Sequence, residues 1–91
     1  MSKVEIYTKD WCAYCARAKG DLDRKGVRYE EIDVTTDFVK ERQMINRARR
    51  YTVPQIFIDG QHLGGSDDLI AAERNGSLDN LLSGMKEGKA A

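Results

Sequence analysis

An alternating apolar run, Val4-Glu5-Ile6-Tyr7-Thr8, leads directly to the chain's only two cysteines, in the segment Trp11-Cys12-Ala13-Tyr14-Cys15. The pattern then turns helical from about Ala13 to Lys25, with Cys15, Ala18 and Leu22 on one face and Gly26 as a C-terminal cap. A strand that feeds a helix through Cys-x-x-Cys puts the first thiol at a helix N-terminus. Unpaired N–H groups and the helix dipole there favour a negative sulfur. This placement ties the fold to a strand–helix junction and points to a reactive thiol rather than a structural crosslink.

The rest of the chain supplies a sheet for that junction. Val27 to Val34 reads as a second strand, with Val27, Tyr29 and Ile32 as its apolar contacts. Thr35, Thr36 and Asp37 offer N-caps to a second helix carrying Phe38, Ile45 and Ala48 on one face. Gln55 to Ile58 is a third strand, and Asp59-Gly60 is a two-residue hairpin turn into a fourth, Gln61 to Leu63. Ser66, Asp67 and Asp68 can cap a third helix with Leu69, Ile70 and Ala72. A last helix would hold Leu78, Leu81, Leu82 and Met85. The order βαβαββαα requires a right-handed parallel crossover first and an antiparallel hairpin later. The fold class is therefore α/β, a thioredoxin-like four-stranded mixed sheet flanked by helices. One domain spans 1–91, with its core at about 3–85 and a frayed tail at 86–91. Gly20, inside the first helix, should cost about 1 kcal/mol relative to Ala unless packing demands it.

Composition removes several function classes. Fifteen basic residues balance fifteen acidic ones, which argues against a nucleic-acid partner held by bulk charge. Arg47-Ala48-Arg49-Arg50 is left as a local anion site. No apolar run approaches membrane-spanning length, and Lys3, Glu5, Lys9 and Asp10 interrupt any signal-peptide pattern. The expected location is the reducing cytoplasm, where two cysteines read as catalytic or metal-binding. A zinc site normally takes four ligands, and His62, the one histidine, reads as a lone surface residue in the hairpin. Redox chemistry is the reading that remains. Cys12 is then the nucleophile, its pKa lowered by the helix N-terminus and by Lys9. Cys15, one turn on, is the resolving thiol. Ala13 leaves its N–H free to donate to the Cys12 sulfur, and Tyr14 is placed to pack against a bound peptide or thiol.

On these residues the chain resembles the glutaredoxins from Lys3 to about Leu82, and the short bacterial dithiol members especially. Thr8-Lys9, Cys12-Ala13-Tyr14-Cys15, Thr52-Val53-Pro54 and Gly64-Gly65-Ser66-Asp67-Asp68 stand in the family's order. The resemblance implies a glutathione-dependent thiol–disulfide oxidoreductase that reduces protein disulfides and glutathionylated proteins, acting as a monomer with no nucleic acid or membrane partner. It implies that Pro54 is cis and faces the cysteines, with Thr52 and the Val53 backbone meeting glutathione. It also implies close backbone approach at Gly65 and Ser66, with the Asp67 N–H on the γ-glutamyl carboxylate and the Asp68 side chain on the ammonium. Lys9 and Arg50 become candidates for the glycine carboxylate. Two departures are Ala13, where the commonest motif has Pro, and Trp11, where a smaller polar residue is often found. Some members lacking that proline share a two-iron two-sulfur cluster between two monomers and two glutathiones. The alternative reading is such a dimer, with Cys12 as its ligand and Trp11 either closing the cluster site or packing beside it.

Overall fold

The structure is a computed structural model that describes residues 3–82. Strand β1 (Val4–Thr8) is followed by α1 (Ala13–Arg24), β2 (Glu30–Asp33), α2 (Phe38–Ala48), β3 (Gln55–Ile58), β4 (Gln61–Gly64), α3 (Ser66–Asn75) and α4 (Ser77–Leu81). The sheet order is β2-β1-β3-β4. β1 runs parallel to β2 and antiparallel to β3, and β3 pairs antiparallel with β4. The expected mixed sheet and element order are both present.

Strand alternation sorts the core into two layers. Val4, Ile6, Ile56 and Ile58 point to one face, where Ala18 and Leu22 of α1, Leu69 and Ala72 of α3, and Leu78 and Leu82 bury against them. Tyr7 and Phe57 point the other way and pack with Val34 and with Met44 and Ala48 of α2. The Tyr7 and Phe57 rings meet edge to face, centroids 5.7 Å apart.

Several boundaries differ from the sequence reading. The second strand is shorter than Val27 to Val34, because Val27 is anchored to the end of α1 through its N–H to the Leu22 carbonyl and joins the core from a loop. Phe38 does not share the buried face of α2. It opens the helix, 78% exposed, and the inward stripe starts one turn later with Glu41, Met44, Ile45 and Ala48. Glu41 fills that first inward position by pairing with Lys9 across the layer, Nζ to Oε2 2.7 Å. Met85 and the expected frayed tail lie outside the described residues.

Gly20 has no packing reason. A Cβ built there would meet only Arg24, at 3.9 Å, an ordinary contact. Gly20→Ala is therefore expected to stabilise the protein by about 0.5–1 kcal/mol through helix propensity, read as a higher urea midpoint with an unchanged m-value. A lower midpoint would show a constraint at this position that α1 does not reveal.

Candidate active site

The site forms where the C-terminal end of β1 meets the start of β3. Tyr7 lies opposite Gln55 in the antiparallel register, so the residues just after β1 and just before β3 share one edge of the sheet. Cys12 is the N-cap of α1, and its Sγ accepts the Cys15 N–H at 3.1 Å. The N–H that reaches the sulfur is thus that of Cys15, one turn into the helix. Cys12 is partly exposed, while Cys15 is buried, and neither is in a disulfide. Burial, with the neighbouring Cys12, pushes the Cys15 thiol up to about 12. The two thiols therefore differ in exposure.

The Val53–Pro54 peptide is cis, and the Cys12 thiol lies within donating distance of the Val53 carbonyl, Sγ to O 3.9 Å. Beside this contact runs a groove of about 210 Å³ lined by Tyr14, Arg50, Thr52, Val53, Pro54, Gln55, Gly65, Ser66, Asp67 and Asp68. Eight residues expected to meet glutathione are therefore together: Tyr14, Arg50, Thr52, Val53, Pro54, Gly65, Asp67 and Asp68. Lys9 is not among them. It lines a separate groove that also contains Cys12 and Cys15, and its ammonium is paired with Glu41.

The rim of the groove is built at the start of α3. Asp68 Oδ2 accepts the Gly65 N–H at 2.8 Å and the Arg50 Nη1 at 3.1 Å. Those two contacts, the Gly65 bond first, hold the Asp68 carboxyl below its ordinary value. Gly64 has φ +129° and a Cβ there would fall 2.2 Å from Asp68 Oδ2, so the first glycine of the pair leaves room for this carboxylate. The second, Gly65, lies 3.3 Å, measured from a Cβ position, from the Pro54 carbonyl, which draws the two walls together.

One lining residue went unrecognised in the sequence. Gln55 is buried at 1% exposure, and its Nε2 donates to the Thr52 carbonyl and hydroxyl at 3.0 and 3.2 Å. Its Oε1 is 2.7 Å from His62 Nε2, so His62 is a half-buried brace rather than a lone surface residue. A polar residue at the inner end of an apolar strand was the available signal. Ser66 has a buried Oγ with no hydrogen-bond partner in the protein, beside the first turn of α3. The Trp11 side chain is fully exposed and is not packed against the cysteines. A shared cluster would take from this chain only Cys12, the thiol that reaches solvent. Among the described residues no three Cys, His, Asp or Glu side chains converge on a metal position.

Two outcomes follow from this geometry. Iodoacetamide at neutral pH should add once, at Cys12, with Cys15 modified only after unfolding; equal labelling of both thiols, read by mass spectrometry, would contradict the burial asymmetry. Asp68→Ala should cost about 1 kcal/mol through loss of the Gly65 contact, with the exposed Arg50 pair adding little. Because the Asp68 pKa is depressed on folding, its contribution is complete above the ordinary value of 3.8 and is lost as pH falls through the folded value. Wild type and variant should therefore differ in urea midpoint at pH 7 and converge in strong acid.

The sequence model of the glutaredoxin family matches residues 4–63. Glutaredoxin 3 of Escherichia coli strain K12 is 54% identical over 82 residues, covering 90% of this chain and 99% of its own length. The solution structure of a glutaredoxin from Brucella melitensis superposes with a TM-score of 0.78 at 50% identity, over 88% of this chain and 87% of the other. A crystal structure of a buckwheat glutaredoxin–glutathione complex gives a TM-score of 0.82 at 29% identity, over 90% and 77%.

Proposed function

The chain belongs to the glutaredoxin family, and on that premise we propose that it is a glutathione-dependent thiol–disulfide oxidoreductase acting through Cys12 and Cys15. The observation that carries this reading is the position of Cys12. Its sulfur is the N-cap of a helix, accepts a helix N–H, and lies 3.9 Å from the Val53 carbonyl on the wall of the groove.

With a glutathionylated protein, the Cys12 thiolate attacks the glutathione sulfur. The old S–S bond breaks, and the protein leaves as a thiolate that takes a proton from water. A second glutathione thiolate then attacks the glutathione sulfur on Cys12, releasing glutathione disulfide and restoring the Cys12 thiolate. With a protein disulfide, Cys12 forms the mixed disulfide with one substrate sulfur. Cys15, once deprotonated, displaces the substrate and closes the Cys12–Cys15 disulfide, which two glutathiones reduce. Burial first, and the neighbouring Cys12 second, hold the Cys15 thiol protonated in the free protein, which keeps it from competing with Cys12 for the first attack.

The groove matches the zwitterionic ends of glutathione. Arg50 and Asp68, assigned to opposite ends of the tripeptide, are here bonded to each other, and both side chains are nearly half exposed. Such a pair is worth at most about 1 kcal/mol, so a ligand carboxylate for Arg50 and a ligand ammonium for Asp68 replace it at little cost. The first-turn N–H groups of α3, with the Ser66 hydroxyl, suit a second carboxylate. The glutathione complex of a glutaredoxin 29% identical to this chain supports the same ligand. The proposed setting is the cytoplasm, with the protein acting as a monomer.

Cys15→Ser is expected to leave removal of glutathione from a glutathionylated peptide near the wild-type rate and to abolish turnover of a protein disulfide. Cys12→Ser should abolish both. Equal loss of the two activities in Cys15→Ser would remove the assignment of a resolving thiol.

A further inference from the structure

A mixed disulfide has two arms, and the groove above takes only one of them. Cys12 also lines a second groove, of about 490 Å³, whose walls include Asp10, Trp11, Lys19, Glu31 and Asp33. The nucleophile therefore stands between two depressions. In the second, Trp11 has φ +58°, a left-handed conformation disfavoured for a bulky residue, and its indole is fully in solvent. An indole held outward beside a nucleophile offers a free aromatic face.

The charges of this groove are unbalanced. Each ammonium on its wall already has a carboxylate: Lys19 lies 2.9 Å from Glu31, and Lys9 lies 2.7 Å from Glu41, which is not part of the groove. Two acids are left. Asp33 receives the Thr35 hydroxyl and N–H at 2.6 and 2.8 Å, both on Oδ1, and these bonds hold the carboxyl below its ordinary value. The Thr35 hydroxyl oxygen also accepts the Asp10 N–H at 2.8 Å. One threonine thus fixes the backbone of Asp10 to the side chain of Asp33.

We propose that this groove docks the polypeptide arm of the substrate and selects segments carrying a basic side chain next to the disulfide cysteine, with the cation on the Trp11 face and its charge met by Asp10 and Asp33. The proposal rests on the thiol-exchange reading above and names the partner of that reaction. A cation over an indole and an ion pair at an exposed site together favour a basic segment by about three- to tenfold.

The test compares two glutathionylated peptides that differ only in the residues flanking cysteine, Arg in one and Glu in the other. The mixed disulfide of glutathione and 2-mercaptoethanol serves as a substrate with no polypeptide arm. Wild type is expected to show kcat/KM about three- to tenfold higher for the Arg peptide, and this ratio should shrink as salt rises. Trp11→Ala combined with Asp10→Asn and Asp33→Asn should bring the ratio close to one, and Asp10→Lys alone should move it toward the Glu peptide. Because the ratio is taken within one protein, a general loss of activity in a variant does not mask it. A wild-type ratio near one, or a ratio unaltered in both variants, would overturn the proposal. Failure of wild type to turn over the small mixed disulfide would instead overturn the thiol-exchange reading beneath it.

Discussion

The antiparallel pairing of β1 with β3 is the contact on which the site depends. Cys12 and Pro54 are far apart in sequence and meet because Tyr7 is held opposite Gln55. Strand pairing has a side-chain period of two, so a slip of one residue would turn Val4 and Ile6, and with them the α1 face of the core, toward the opposite layer. The hydrophobic sorting of the two faces therefore enforces the register, and the register sets the distance between thiol and cis peptide. Core packing and catalytic geometry are in this sense one constraint.

In the second layer one side chain bridges both strands that carry the active edge. Arg47 of α2 reaches across to Glu5 Oε1 at 3.1 Å and the Tyr7 hydroxyl at 2.9 Å, with its guanidinium 3.9 Å from the centre of the Phe57 ring. Gln43 of the same helix accepts the Tyr7 hydroxyl at 2.7 Å. A planar cation that stacks on one ring and donates to two oxygens suits arginine and not lysine. These bonds hold α2 against β1 and β3, the two strands that carry the active edge. The neighbouring Arg49 adopts the left-handed conformation that ends α2, and Arg50 then faces the groove.

That division among three nearly adjacent arginines marks the boundary of what local sequence reveals. Cys12 as an N-cap, the Asp59-Gly60 turn and the alternation of β1 were legible because each depends on residues within a few positions. The cis state of Pro54 was legible only through resemblance, since a lone proline before a strand fits either isomer. Roles for Arg47, Lys9 and His62 were not legible. Their partners Glu5, Glu41 and Gln55 sit on other elements, and the outcome of competition among charged neighbours is decided by three-dimensional packing. Lys9 illustrates this: its sequence position places it near Cys12, yet the first inward turn of α2 supplies Glu41 at 2.7 Å.

The same packing explains why Trp11 stands out. The backbone must turn between the end of β1 and the N-cap of α1, and a left-handed residue at position 11 makes that turn. Glycine or asparagine would make it with less strain, and a small polar side chain would expose less apolar surface. Tryptophan bears both costs and contributes nothing to either core layer, because its side chain is wholly outside them. A residue that weakens the fold locally without packing against it has its compensation elsewhere, and the one chemically reactive atom nearby is the sulfur of Cys12. The groove shared by that sulfur and the indole is where the compensation is to be sought: in contact with whatever carries the second half of the disulfide.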